Sequence, residues 1–165
     1  MGTTKKPRKK YQRRGVIPNP MAYLLEGMTP IRNHDYPLVD LKIKNHLAMT
    51  TLLQGEAKKA DMDKLISMSN VVEALWHVGF GKEYRNICVD GRYALISIAN
   101  RAVTHGKFTP TGPEIGMLNA LMDLHDAQMD VITVGDMELA LAYIDRVLRQ
   151  GHDTIKLLPV PDHLL

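Results

Sequence analysis

Residues 111–132, which read TGPEIGMLNALMDLHDAQMDVI, decide the fold class because they hold a complete amphipathic helix together with its start signal. Thr111 and Glu114 have the spacing of a capping box, and Pro113 lies in the first turn, where proline is tolerated. Apolar positions recur at intervals of three and four residues, which is typical of a helix that buries one face. That stripe consists of Ile115, Leu118, Met122, His125, Met129 and Ile132. The stretch therefore predicts an α-helix with a histidine on its buried side.

The same periodicity continues on both sides of this segment, punctuated by glycine and proline. A second capping box, Thr133 with Asp136, starts the last helix, which ends at Gln150. Further helices are predicted at about residues 20–27, 37–54, 61–78 and 82–105. Gly91 predicts a break or a short turn inside the fourth of these, because glycine is a poor helix former. With little strand signal, we predict an all-α compact bundle of five to six helices.

The second predicted helix has apolar residues on two sides. Its main stripe contains Asn45 near the centre, and a buried amide in such a place often fixes the register between helices. Ile43 and Leu47 lie on the opposite side. We therefore expect this helix to be central, with neighbours on two faces.

Charge divides the chain into an arm and a body. The whole chain has 21 basic and 18 acidic residues, and residues 1–14 hold seven of the basic ones and no acid. The remainder therefore has 14 basic against 18 acidic residues, a net charge of −4. We predict a flexible basic arm at 1–18, a helical domain at 19–151 and an extended C-terminal tail at 152–165.

The arm carries the strongest functional signal. Clustered cations neutralise phosphates, and a tyrosine among them offers a stacking surface for a base. The predicted nucleic-acid-binding residues are Lys5, Lys6, Arg8, Lys9, Lys10, Tyr11, Arg13 and Arg14. Such an arm also suits an acidic protein partner, a solubilising tail or a nuclear localisation signal. Lysines of the body, either secondary contacts or a solvated face, are Lys42, Lys44, Lys58, Lys59 and Lys64.

Three carboxylates, Asp123, Asp126 and Asp130, fall within a narrow arc of the helix at 112–131. A solvated helix face explains such a row. The alternatives are a binding face for a basic partner, including the arm of another protomer, or one side of a hard-cation site that needs ligands from elsewhere. We take Asp123, Asp126 and Asp130 as candidate partner-binding residues and call them the acidic row.

No catalytic, metal or cofactor signature emerges from the sequence. Glu73 and His77 lie four residues apart and could reach one point, but an ion pair or a capped buried histidine explains them without a metal. His125, with Gln128 three residues on, fits a hydrogen-bonded core histidine. Cys88, the single cysteine, reads as a buried thiol and agrees with a reducing compartment. We therefore predict a non-enzyme without metal or cofactor.

Five runs resemble a family of small helical proteins, mostly uncharacterised, from proteobacterial phages, prophages and mobile elements. The runs are LKIKNH at 41–46, EALW at 73–76, GFGKEY at 79–84, LHDAQ at 124–128 and TVGDME at 133–138. The resemblance extends over about residues 18–150. It implies a bacterial host and, since some members are described as transcriptional regulators, a part in phage–host control.

Together these observations predict a cytoplasmic, non-catalytic accessory protein of a bacterial host cell. It would contact nucleic acid of low sequence specificity, or a nucleoprotein complex, through its arm, and act in regulation or host takeover. The alternative is a protein-binding inhibitor or adaptor acting on a host defence or transcription complex through the acidic row. No apolar run reaches the length of about 18 residues that spans a membrane, so no membrane association is expected. A homo-oligomer is compatible with either function.

Overall fold

The computed structural model describes residues 20–33 and 35–150, and these form six α-helices. The helices are α1 Pro20–Gly27, α2 Asp35–Leu53, α3 Lys59–Val78, α4 Arg85–His105, α5 Gly112–Val131 and α6 Val134–Gln150. Short 3₁₀ helices occupy Ile31–Asn33 and Lys82–Tyr84. Within the described residues there is no strand, only an isolated bridge between Pro30 and Thr133. The all-α prediction is confirmed, while the predicted arm at 1–18 and tail at 152–165 lie outside the described residues.

Both predicted capping boxes are present. The carboxylate of Glu114 accepts a hydrogen bond from the backbone N–H of Thr111 at 2.7 Å, which satisfies a donor at the start of α5. The carboxylate of Asp136 accepts the backbone N–H of Thr133 at 2.9 Å, at the start of α6. These contacts explain why the starts of the last two helices could be read from the sequence.

The centre of the bundle is α3, which packs against α2, α4, α5 and α6. An apolar stripe along α3 is buried, and its fully or almost fully buried members are Met62, Leu65, Met68, Val72 and Leu75. The main core cluster joins this stripe to α2, α4 and α5. A smaller cluster, which includes Leu75 and Met129, extends to Ala140 and holds α6 against the bundle.

The prediction that α2 is central was wrong. Ile43 and Leu47, which were expected to face a second neighbour, are 59% and 57% exposed within the described structure. The opposite side of α2 is buried through Ala48, Met49 and Leu52. Among the described residues, α2 therefore packs on one side only, and Ile43 and Leu47 are left exposed on the other.

The predicted break at Gly91 was also wrong, because α4 runs without interruption from Arg85 to His105. Gly91 is buried and faces the side chain of Leu121 on α5. A Cβ atom built on residue 91 would lie 2.7 Å from Cδ2 of Leu121, a distance that side chains do not tolerate. Glycine at residue 91 therefore allows α4 to approach α5 closely. The helical turns on either side of Gly91 outweigh its low helix propensity.

The corner between α3 and α4 is built around Trp76. Its Nε1 donates to the backbone carbonyl of Lys82 at 3.1 Å, and the guanidinium of Arg85 lies 4.4 Å from the ring centroid. The carboxylate of Glu73 accepts from Arg85 at 3.0 Å and from Arg92 at 2.8 Å. These contacts join the end of α3 to the start of α4 by hydrogen bonds, an ion pair and a cation–π contact.

Candidate functional site

Two members of the acidic row are engaged by α2. Nζ of Lys42 donates to Oδ1 of Asp130 at 2.8 Å, and Nε2 of His46 lies 2.8 Å from Oδ2 of Asp126. We call these four residues the α2–α5 seam. Asp123 is exposed and forms no ion pair within the described residues. The three carboxylates of the acidic row therefore lie on one face of α5, as expected from their spacing, but the ion pair with Lys42 of α2 partly neutralises their charge.

The spacing of the seam has a simple geometric basis. Lys42 and His46 lie four residues apart on α2, and Asp126 and Asp130 lie four residues apart on α5. Because the contacts pair these residues in reverse order, the two helices run antiparallel at this point. Sequence reasoning missed Lys42 and His46 as partners of the row. The signal that could have found them was the matching spacing of four residues between Lys42 and His46 on one helix and between Asp126 and Asp130 on the other.

Asp126 also contacts the buried histidine beside it. His125 is fully buried, and its Nδ1 lies 3.1 Å from Oδ1 of Asp126. Burial lowers the pKa of His125, and the hydrogen bond to Asp126 only partly opposes this. Burial alone would raise the pKa of Asp126, but hydrogen bonds from His46 and His125 outweigh it and hold that pKa below its ordinary value.

These directions fix the protonation of the pair near neutral pH. Asp126 is ionised and can only accept, whereas His125 is neutral and carries one ring proton. That proton belongs on Nδ1, which faces the carboxylate, so Nε2 is left with a lone pair. His46–Asp126–His125 thus forms a continuous polar chain from the exposed surface to the core.

The polar core contains atoms that are buried without a hydrogen-bond partner in the described structure. They are Nδ2 of Asn45, Nε2 of His125 and Oε1 of Gln128. The amide nitrogen of Gln128 is engaged, since it donates to the carbonyls of Phe80 at 3.0 Å and Val72 at 3.3 Å. Asn45 therefore lies in the buried stripe, as predicted, and His125 finds its ring partner in Asp126 rather than in Gln128.

Glu73 and His77 do not form an ion pair with each other in the described structure. Glu73 is held by Arg85 and Arg92, and these hydrogen bonds keep its pKa below the ordinary value even though burial opposes them. His77 stacks on Tyr143 of α6, with ring centroids 4.4 Å apart, and burial lowers its pKa. Two arginines of the next helix outcompete the histidine for the carboxylate because they provide charged, directed donors.

Most of the body lysines that were candidates for secondary contacts pair with carboxylates nearby. Lys59 lies 2.6 Å from Asp63, and Lys64 lies 3.0 Å from Asp61. Lys44 pairs with Asp40, and Lys42 belongs to the seam. The arm residues Lys5 to Arg14 lie outside the described residues. In the part of the chain that is described, no group of three or more His, Cys, Asp or Glu side chains could hold a metal ion, and no helix is long and apolar enough to span a membrane.

Comparison of the chain with protein-family models, with curated proteins and with solved structures finds no match. The resemblance to proteins of phages and mobile elements therefore stays a prediction from the five runs. The seam and the buried polar atoms are the features of the described structure from which chemistry can be argued.

Proposed function

We propose that the protein is a non-catalytic regulatory accessory protein that contacts nucleic acid, or a nucleoprotein complex, through its basic arm. The observation that carries this proposal is the segregation of charge. Seven cations and no acid lie within residues 1–14, whereas the rest of the chain has a net charge of −4. Neutralising phosphates with such a cluster releases counterions, which supplies most of the affinity of nonspecific binding.

The described body is consistent with a supporting role. Lys42, Lys44, Lys59 and Lys64 are paired with carboxylates, so a phosphate backbone would have to displace those partners to use them. The arm therefore provides the attraction, while the helical body provides shape and limits how nucleic acid can lie against it. Contacts to phosphates carry no direct sequence information, so specificity is low.

The biological setting of this proposal comes from the five runs that resemble proteins of phages and mobile elements. In that setting the protein acts in the cytoplasm of a bacterial host, in regulation or host takeover. A second copy would double the number of arms on one nucleic acid and raise the effective concentration of the second arm.

The test is a titration of the full chain against a fluorescent DNA duplex over a series of salt concentrations. If the arm neutralises about five to seven phosphates, the plot of log K against log salt has a slope of roughly −4 to −6. Deleting residues 1–14 should abolish most of the affinity and flatten the slope. Lys44→Gln and Lys64→Gln in the body serve as matched charge controls and should change the slope by less than about one unit. An affinity that does not change with salt concentration, or that is unchanged by deleting residues 1–14, contradicts the proposal.

A second candidate function is a protein-binding inhibitor or adaptor. The observation favouring it is that Asp123 is exposed and Asp130 remains 63% exposed despite its contact with Lys42. The distinguishing experiment recovers partners from nuclease-treated lysate with the wild-type protein and with Asp123→Asn. Recovery that persists after nuclease treatment and falls with Asp123→Asn supports the adaptor. Recovery that disappears with the nuclease supports a nucleic-acid bridge.

A further inference from the structure

The outer face of α4 carries a regular stripe of exposed apolar side chains. Val89, Tyr93, Ile96 and Val103 are 49%, 64%, 37% and 41% exposed, respectively. Together with Asn100, which is also exposed, they are spaced alternately by four and three residues. With this spacing, a helix presents a continuous line of side chains to a second helix. We call these five residues the α4 stripe.

The α4 stripe is separate from the face that α4 buries in its own bundle. That inner face packs against α3 and α5, and its buried residues are Cys88, Gly91, Ala94, Leu95, Ile98, Ala99 and Ala102. The face of a helix that remains in water is normally rich in charged residues, whereas no member of the α4 stripe is charged. This helix therefore has two apolar faces, and the described part of the chain covers one of them.

Two grooves, of about 320 Å³ and 240 Å³, lie beside the α4 stripe. Tyr93 and Ile96 line both of them and so form the ridge between the two. Exposed His105 lies at the end of the larger groove. The charged side chains in the grooves already have partners, and these pairs are Arg101 with Glu114, and Arg85 and Arg92 with Glu73. A ridge flanked by grooves has the shape that interdigitates with a second copy of the same surface.

The charges at the edge of the stripe are complementary to those of a second copy in one orientation. Asp90 is exposed beside Val89 and forms no ion pair within the described residues. Arg85 lies five residues earlier, and in two parallel helices in register these flanking positions face each other across the pair. Nη1 of Arg85 donates to Glu73, which leaves other N–H donors of a side chain that is 43% exposed. Two Arg85–Asp90 pairs would thus flank the contact between two copies.

The size of this surface determines how tightly two copies can bind. At 1.5 Å per residue, the 21 residues of α4 are about 32 Å long. The stripe and its grooves are about as wide as two packed helices, roughly 16–20 Å. The resulting area of roughly 500–600 Å² per copy is smaller than the about 800 Å² of a standard interface, so we expect a weak dimer with a dissociation constant of about 1–100 µM.

We propose that the α4 stripe is the interface of a homodimer, in which α4 of one copy packs against α4 of a second copy, parallel and in register. Ile96 contacts Ile96 of the second copy. The side-chain amides of the two Asn100 residues hydrogen-bond to each other, and a polar pair at such a position fixes the register at some cost in stability. The interface does not involve the arm, so it can be tested separately from the proposed contact with nucleic acid.

The first test is sedimentation equilibrium of the full chain, treated with nuclease and measured in about 0.5 M salt, which screens contacts of the arm. We expect a reversible equilibrium between monomer and dimer. Tyr93→Lys should raise the dissociation constant at least about tenfold, because it places two cations together and removes an aromatic contact. Leu47→Lys, at a similarly exposed apolar residue of α2, is the control and should leave the dissociation constant unchanged. Tyr93 and Leu47 are both more than half exposed, so neither variant disturbs the core.

Four results of this experiment would overturn the proposal. One is a wild-type chain that stays monomeric at about 0.5 mM, well above the expected dissociation constant. Another is a dimer that Tyr93→Lys and Leu47→Lys weaken equally. A dimer that dissociates when residues 1–14 are deleted would be held by the arm, for instance on the acidic row of the second copy. A chain that dimerises only after residues 151–165 are removed would have its stripe covered by that segment.

The second test determines the orientation of the two helices. Oxidation of Val103→Cys should join two chains by a disulfide, because a parallel pair brings both residues 103 within the about 7 Å between Cα atoms that a disulfide needs. In an antiparallel pair centred on the stripe, the two residues 103 lie at opposite ends of the contact. The wild type, whose single Cys88 is buried, and Leu47→Cys are the controls and should not be linked. A Val103→Cys chain that dimerises without forming the disulfide would contradict the parallel register.

Discussion

Gly91 of α4 lies directly against Leu121 of α5, so close that a single added methyl group at residue 91 would stand 2.7 Å from Cδ2 of Leu121. The contact lies between two long helices that pack extensively on each other. Leu121 is itself fully buried in the main core cluster and has little room to move. The separation of α4 and α5 is therefore set at this point by the absence of a side chain.

We predict that Gly91→Ala lowers the free energy of unfolding by about 1–3 kcal/mol, because overpacking outweighs the gain in helix propensity. The control is Gly116→Ala on α5, where a Cβ would meet no atom within 4 Å. That substitution should stabilise the protein by about 0.5–1 kcal/mol. Urea denaturation of both variants checks the pair, and an equal effect of the two substitutions would show that the close contact is relieved without cost.

The ion pair between Arg101 and Glu114 joins α4 to the start of α5. Nη1 of Arg101 donates to Oε1 of Glu114 at 2.8 Å, and the same carboxylate caps α5 through Thr111. The arginine, together with the N–H of Thr111, lowers the pKa of the largely buried Glu114 to about 2. Glu114→Gln should therefore destabilise the protein by about 1–3 kcal/mol at neutral pH.

The stabilising contribution of Glu114 should depend on pH in a defined direction. Because the pKa of Glu114 is lowered on folding from 4.5, its stabilising contribution is present above pH 4.5 and is lost as the pH falls toward 2. The melting temperatures of the wild type and Glu114→Gln should converge over that range. Asp145→Asn, which removes the exposed pair with Arg149, is the control and should change stability by less than about 0.5 kcal/mol. A constant gap between wild type and Glu114→Gln down to pH 2 would contradict the assignment.

His125 should make the fold sensitive to mild acid. Because its pKa is lowered on folding, the unfolded chain takes up its proton first, and stability falls as the pH drops below about 6.5. His125→Gln should flatten the profile of melting temperature between pH 7 and 5. His77→Gln is the comparison, since the pKa of His77 is also lowered but the residue is exposed, so the flattening should be smaller. Parallel profiles for wild type and His125→Gln would refute the prediction.

The contact between Lys42 and Asp130 in the α2–α5 seam predicts that the two charges can be exchanged between the helices with little loss of stability. Asp130→Lys places two cations beside each other and should cost about 0.5–1 kcal/mol, the usual scale for a partly exposed pair. Adding Lys42→Asp restores opposite charges in the same geometry and should recover most of that loss. The double-mutant cycle is measured by denaturation at low and high salt, since screening should shrink the coupling. Additive effects of the two substitutions would mean that α2 and α5 do not meet in this register.

Local signals explain which parts of the fold could be predicted. The starts of α5 and α6 depend on side chains three residues away in sequence, Thr111 with Glu114 and Thr133 with Asp136, so their capping boxes were visible. The position of α3 was equally predictable, because a periodic apolar pattern can be recognised without knowledge of the neighbouring helix.

Long-range contacts explain what could not be predicted. Gly91 suggested a broken helix because Leu121, the residue whose close packing requires glycine there, lies thirty residues away along the chain. Similarly, His46 and Asp126 are 80 residues apart, so the acidic row looked more open to partners than it is. Asn45 and His125 were each placed on buried stripes, but only the packing of three helices reveals that they line one cavity.

The corner at Trp76 gives the protein an intrinsic optical reporter. Trp76 is the single tryptophan of the chain, and it is held by the carbonyl of Lys82 and the guanidinium of Arg85 at the junction of α3 and α4. Its emission reports the docking of α4 onto the central helix, without an added dye. A change in tryptophan emission that precedes the loss of helical circular dichroism would identify this corner as the first part of the bundle to open.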